Sequence, residues 1–178
     1  AIFNVGDVEK SAVCLLTDKE EVGSMGNTGM QSRFFENMVA NLISLQTDYN
    51  DLKIRRAIEN SQVLSADVNA AFDPTFPEVM EKLNAAKVAQ GVTISKYTGS
   101  RGKSGSNDAN AEFLSELRIL FDKNDVIWQT GELGKGDQGG GGTIAYILAN
   151  LGAEVVDCGT SMHSMHAPIE LVSKADAY

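Results

Sequence analysis

The feature that most restricts the fold is a steady exchange of short apolar runs for helical periods along one chain of 178 residues. Residues 11–17 (SAVCLLT) read as a buried strand. Residues 63–71 read as a second strand with its exit, and 92–97, 126–130 and 154–157 as three more. Between them, residues 30–46 carry Phe34, Met38, Leu42 and Leu45 at helical spacing. Residues 51–59 form a shorter charged helix, and 108–121 set Phe113, Leu117 and Leu120 on one face. Pro77 suits the first turn of a helix reaching residue 86. Residues 143–151 make another helix, and a last one begins at Pro168. Strands alternating with helices predict an α/β layered fold. In such folds, ligands gather where loops leave the carboxyl ends of strands.

Charge narrows the partners. Fifteen Lys and Arg stand against 24 Asp and Glu, a net charge of -9. Tracking a phosphate backbone needs clustered cations, so this balance argues against nucleic acid. The densest basic stretch, Lys96 through Arg101 to Lys103, reads as a solvated loop. No run of ~18 apolar residues suggests a membrane helix, and the first residues lack a basic n-region and cleavage site. Cys14 and Cys158 match neither a zinc knuckle nor a C-x-x-C pair. Two reduced, buried thiols in a cytoplasmic protein are expected.

Four segments could carry chemistry. In DKEEVGS, residues 18–24, Glu20 and Glu21 are adjacent carboxylates after an apolar run. In extended backbone they would point to opposite sides. One could then hold a metal while the other serves as general base. A charged surface turn is the commoner use of such residues. Asp67 interrupts an apolar strand, which is costly unless it is paired, hydrogen-bonded or metal-bound. His163 and His166, in SMHSMHAP, are the only histidines, and neutral imidazole is a common zinc ligand. A structural role is equally open to them. The loop GELGKGDQGGGGT, residues 131–143, lets backbone approach a ligand closely. It lacks the Ser or Thr after its lysine and the glycine spacing of a nucleotide P-loop. No G-x-S-x-G elbow and no H-E-x-x-H is present.

Taken in order, DKEEVGSMG, SADVNAAFDP, KYTGSRGKSG, WQTGELGKGDQGGGGTIA and SMHAPIELVSKADAY resemble the M18 family of metalloaminopeptidases, the aspartyl aminopeptidase and aminopeptidase I group. The resemblance covers nearly the whole chain. It implies a three-layer α/β/α zinc-peptidase-like catalytic domain, with residues 1–178 as its C-terminal portion. It implies two zinc ions per complete site, with cobalt or manganese as alternatives. Glu20 then resembles the general base, and Glu21, Asp67 and His166 the metal ligands. The family string continues into Ala-Pro only after His166, which leaves His163 a packing or pocket role. Asp137, Gly141, Gly142 and Thr143 resemble the family's substrate-lining segment. Asn69 and Ala70 stand where aspartyl aminopeptidases often carry histidine, so preference for acidic N-terminal residues is not expected.

The family pattern also calls for a bridging aspartate and another histidine upstream of E-E-V-G, and for an intercalated dimerisation domain. None is matched here. The expectation is therefore a chain that completes its site with a missing N-terminal part or a companion chain. Peptides are the expected substrates, and a homo-oligomer, with a dodecamer among the forms, the expected assembly. The alternative is a catalytically incomplete piece or an assembly element. A small-molecule binder built on the glycine-rich loop is the remaining reading.

Overall fold

The structure is a computed structural model that describes residues 6–178. It comprises two compact units, Ala1–Thr47 and Asp48–Tyr178. No helix among the described residues is long and apolar enough to cross a membrane.

The first unit has little regular structure before its helix α1, Phe34–Gln46. The strand expected over residues 11–17 does not form. That segment is extended but has no ladder partner among the described residues, and a strand exists only through its neighbour's hydrogen bonds. Most of it is exposed, with Leu16 at 90 %. Cys14 is likewise exposed, against the expectation of a buried thiol. The next loop is closed on itself: Asp18 bridges Gly29, and Thr28 Oγ1 donates to Asp18 Oδ2 at 2.7 Å. Helix α1 begins four residues later than its apolar period suggests and buries none of its side chains.

The second unit is built on sheets. Helix α2, Asp51–Glu59, starts at Asn50, whose side chain accepts from the Lys53 N–H. This is an N-cap, which satisfies one of the first turn's orphan donors. Strand β1, Gln62–Ser65, leads to the two-residue β2, Asn69–Ala70. Strands β3, Val92–Ser95, and β4, Tyr97–Ser100, come next, and β4 pairs in a hairpin with β5, Ser104–Asp108. Helix α3, Ala111–Lys123, is capped by Asn110, which accepts from Phe113 N–H at 2.7 Å. Strand β6 is Trp128–Thr130, helix α4 Ala145–Asn150, and β7 Glu154–Gly159. Strand β8, Ser161–His163, pairs parallel with β2 and antiparallel with β9, Leu171–Val172. Helix α5, Lys174–Ala177, closes the chain.

The main sheet runs β1-β7-β3-β6. Its pairs β1–β7 and β3–β6 are parallel, while β3 and β7 are antiparallel. One face is apolar: Ile94, Val156 and Cys158 pack with Phe113 and Leu117 of α3. Phe113 and Leu117 are buried as expected, but Leu120 is 52 % exposed. The third apolar contact comes instead from Phe121, four residues after Leu117. On the opposite face, by the period of two, lie Thr93, Ser95 and Asp157.

Two expected helices are not found. After Pro77 only one 3-10 turn forms, Pro77–Val79. Its downstream backbone bonds to other segments instead, with Phe72 N–H donating to Ala86 O, Glu132 N–H to Asn84 O and Lys135 N–H to Val79 O. After Pro168 the chain makes β9 before its short helix, because Leu171 and Val172 pair with His163 and Met162.

Candidate metal centre and glycine-rich loop

Glu20 and Glu21 lie in the first unit, in a single 3-10 turn, Glu20–Val22. They are not in extended backbone, so the expectation of opposed side chains is corrected. Successive residues of a 3-10 turn are spread by a third of a turn. The turn is entered through Lys19 at φ 64° and left through Gly23 at φ 76°. A lysine in left-handed backbone is held there by its surroundings: Ser24 N–H donates to Lys19 O at 2.8 Å. Glu20 is half-buried and Glu21 exposed.

Asp67 lies in the second unit, two residues beyond the end of β1. Its carboxylate accepts from Val68 N–H at 2.8 Å. Its backbone is fixed from the far side by Gly159, the last residue of β7. A Cβ at Gly159 would fall 1.7 Å from Asp67 O, so only glycine lets the two segments meet. Asn69, two residues on, is buried and donates through Nδ2 to Ser95 Oγ at 2.9 Å.

Beside these residues sits a group that the sequence did not single out. Asp157 of β7 is level with Ser65 on one neighbouring strand and Ser95 on the other. It is 4 % exposed and accepts from Thr98 Oγ1 at 3.0 Å. Burial pushes its carboxyl above the ordinary value; the hydroxyls of Ser65, Thr143 and Thr98 pull it back, and the nearby charge of Asp67 adds to the rise. Its sequence signal, one carboxylate inside the apolar run EVVDCG, is the same signal that marks Asp67.

The glycine-rich loop leaves β6 and returns to this face. The β4–β5 hairpin holds it, with Gly99 N–H donating to Gly141 O at 3.0 Å and Arg101 N–H to Gly139 O at 2.8 Å. Gly140, at φ 81°, passes so close that a Cβ would fall 2.7 Å from Leu133 O. Asp137 is exposed, with left-handed backbone at φ 63°, and its side chain lies over Gly102. Gly141 is half-buried and Gly142 exposed. Thr143 is buried, accepts from Ala145 N–H at 3.2 Å and stands beside Asp157. Because β3 and β6 run against β1 and β7, this loop starts at the opposite edge of the sheet from Asp67. Its return, not its strand end, brings Thr143 to the polar face.

The two histidines part company. His163 ends β8, half-buried, and its charge contributes to holding the Asp73 carboxyl below its ordinary value, after the Thr75 N–H and hydroxyl. His166 is exposed in the loop after β8 at φ 66°, with its N–H donating to Glu170 Oε1 at 2.7 Å. Carboxylate and imidazole donors of these kinds suit zinc. Among the described residues, however, no three His, Cys, Asp or Glu side chains form a group able to hold a metal ion.

A family model described as aminopeptidase I zinc metalloprotease (M18) matches residues 3–178. The chain belongs to the M18 family. A probable M18 family aminopeptidase 1 of Clostridium acetobutylicum is 58 % identical to it over 178 residues, which is 100 % of this chain and 38 % of that protein. The solved M18 aminopeptidase of Thermotoga maritima matches with a TM-score of 0.84 at 44 % identity, over 90 % of this chain and 36 % of its own. The mApe1 dodecamer of S. cerevisiae matches with a TM-score of 0.71 at 26 % identity, over 90 % of this chain and 34 % of its own. This M18 chain therefore spans about 38 % of the length of the curated relative it matches. Its mixed α/β architecture is the one expected from the alternation of strands and helices.

Proposed function

We infer that residues 1–178 are the C-terminal portion of the catalytic domain of a metal-dependent aminopeptidase, which removes N-terminal residues from peptides. The observation that carries this reading is the M18 match across residues 3–178. Glu20 is the general base, Glu21, Asp67 and His166 are metal ligands, and Asp137, Gly141, Gly142, Thr143 and His163 contribute to the substrate pocket. Backbone strain supports the assignment: Asp137 and His166 both have left-handed φ, and such positions gather at functional sites. Two zinc ions, when bound, would supply an acidified water and a Lewis acid for the peptide carbonyl; cobalt or manganese could replace them. Within this chain, Glu20 would take the proton and return it to the leaving amine.

The remaining ligands would come from the missing N-terminal part or from a companion chain. A homo-oligomer is the proposed assembly, supported by the dodecameric relative. Two free cysteines fit a reducing compartment, and the cytoplasm is the location we propose.

A second reading is favoured by one observation, that no three-donor group is found among the described residues. In it, the chain is an assembly element without activity of its own. Metal content after desalting, measured with turnover of aminoacyl p-nitroanilides, decides between the two. Two zinc-like ions per chain with turnover support the first reading, and Glu20→Gln in that enzyme should then keep its metal and lose activity. Retained turnover in Glu20→Gln overturns the assignment of the base. No metal and no turnover leave the second reading.

A further inference from the structure

The loop between β8 and β9 carries His166 in a backbone conformation that a histidine does not take for itself. Two of its residues with a Cβ are left-handed, Ser164 at φ 58° and His166 at φ 66°. A Cβ crowds the neighbouring carbonyl there, so the surroundings have to hold such residues in place. Ala167 N–H donates to Ser164 O at 2.9 Å and closes a turn with Met165 and His166 at its centre. His166 is the third residue of that turn, where a positive φ is ordinarily left to glycine or asparagine.

The stems of the loop are fixed on both sides. His163 pairs with Leu171, and Met162 with Val172, across β8 and β9. Beyond β9, Asp176 accepts from Ala89 N–H at 2.7 Å and from Gly91 N–H at 3.0 Å, which ties the end of the chain to the entry of β3. Residues 164–170 therefore leave and rejoin a fixed frame.

Glu170 connects that frame to the turn. It directly precedes Leu171, so its main chain is set by the first pair of β9. Its side chain reaches back across the loop, and Oε1 accepts from His166 N–H at 2.7 Å. A carboxylate makes a short and strong bond to an N–H. The bond lands on the main chain of His166, which leaves the imidazole nitrogens out of it. Because the Cα–Cβ bond is rigid in its own backbone frame, whatever holds the backbone of His166 also aims its imidazole.

The proposed reaction assigns Glu170 no chemistry. We propose that Glu170 is a positioning residue: its carboxylate holds His166 in left-handed backbone and so directs the imidazole toward the metal. The inference rests on the reading of His166 as a metal ligand. Glu170 acts through reach rather than charge, since what it supplies is an acceptor at one place.

Three variants separate reach from charge. Glu170→Gln keeps an oxygen at the same distance and removes the charge. Glu170→Asp keeps the charge and is one methylene shorter. Glu170→Ala has neither. Two readouts on the whole chain apply: the coupling between the amide and α protons of His166, which reports its φ, and the dissociation constant for zinc titrated as zinc chloride. Glu170→Gln should match the unaltered chain in both. Glu170→Asp and Glu170→Ala should shift the coupling and weaken zinc binding about tenfold, the loss that follows removal of a group orienting a metal ligand. A carboxylate acting by charge gives the reverse order, with Asp retaining zinc and Gln losing it, and that order overturns the proposal. So does a coupling that no variant moves. His166→Ala tells the two levels apart. If it weakens zinc binding while Glu170→Ala does not, His166 stays a ligand and the positioning role falls. If zinc binding is indifferent to His166→Ala, the ligand reading falls and takes the positioning role with it. Should Glu170→Ala fail to fold, the Gln and Asp variants carry the same comparison.

Discussion

The two units differ in where they put their apolar side chains. In Asp48–Tyr178, Ile94 and Val156 are 1 % and 0 % exposed, between strands and beneath α3. In Ala1–Thr47, helix α1 buries nothing, and Phe34, Leu42 and Leu45 are 57 %, 45 % and 83 % exposed. Yet α1 carries a clear apolar periodicity in sequence. The difference teaches that periodicity states which face a helix would bury, while burial needs a surface to receive it. The second unit has its own receiving surface, a sheet. The first, among its described residues, offers none to α1.

That contrast can be broken most sharply by side chains that have no space. Gly159→Ala places a methyl group on Asp67 O and should destabilise the second unit by about 3 kcal/mol, because backbone has to move. Gly6→Ala, with nothing within 4 Å, should change stability by less than about 0.5 kcal/mol. Urea unfolding of the two variants measures both. Comparable losses would show that the first unit is packed as tightly as the second.

Truncation of leucines gives the next largest effect. Leu117→Ala opens a hole under the apolar face and should cost about 2–4 kcal/mol. Leu45→Ala should cost less than about 0.5 kcal/mol, since its side chain gains little on folding. A large loss from Leu45→Ala in the isolated chain would mean that α1 is covered by another copy, and its concentration dependence would reveal it.

Much of the second unit is legible in the sequence because its signals are local. The charged period over residues 51–59 marks α2, and Phe113 with Leu117 mark the buried face of α3. The failures share a cause. Residues 11–17 have the composition of a strand, but pairing is a property of two segments. Residues 80–86 have a helical pattern, but their carbonyls are taken from elsewhere, Asn84 O by Glu132 N–H and Ala86 O by Phe72 N–H. Asp67 and Asp157 give the same local signal, a carboxylate in an apolar run. Only the register, which sets Asp157 between two serines, separates a solvent-reaching acid from an enclosed one. His163 and His166 are likewise distinguished by their partners in space: β9 pairs with the first, and a loop carries the second.

Each unit carries one cysteine, which offers a probe that perturbs neither. Burial, and then the charge of Asp157, push the Cys158 thiol up to about 11. At pH 8 its thiolate would be roughly one part in a thousand, and the thiolate is the reactive form. Cys14 is exposed. Labelling with a maleimide at pH 8 should modify Cys14 rapidly and Cys158 only on the timescale of unfolding. Equal rates would show that the β7 face opens in the folded chain.

The smallest effect is a slope with pH. The folded state raises the Asp157 carboxyl above its unfolded value, so this group favours folding fully below the ordinary carboxylate pKa. That contribution is lost as pH rises through the folded value, because ionisation must then occur in a buried place. Urea unfolding free energy should therefore decline over that window by more in the unaltered chain than in Asp157→Asn. If the slope is absent, Asp157 is solvated, and the polar face of the second unit is no more closed than the surface of the first.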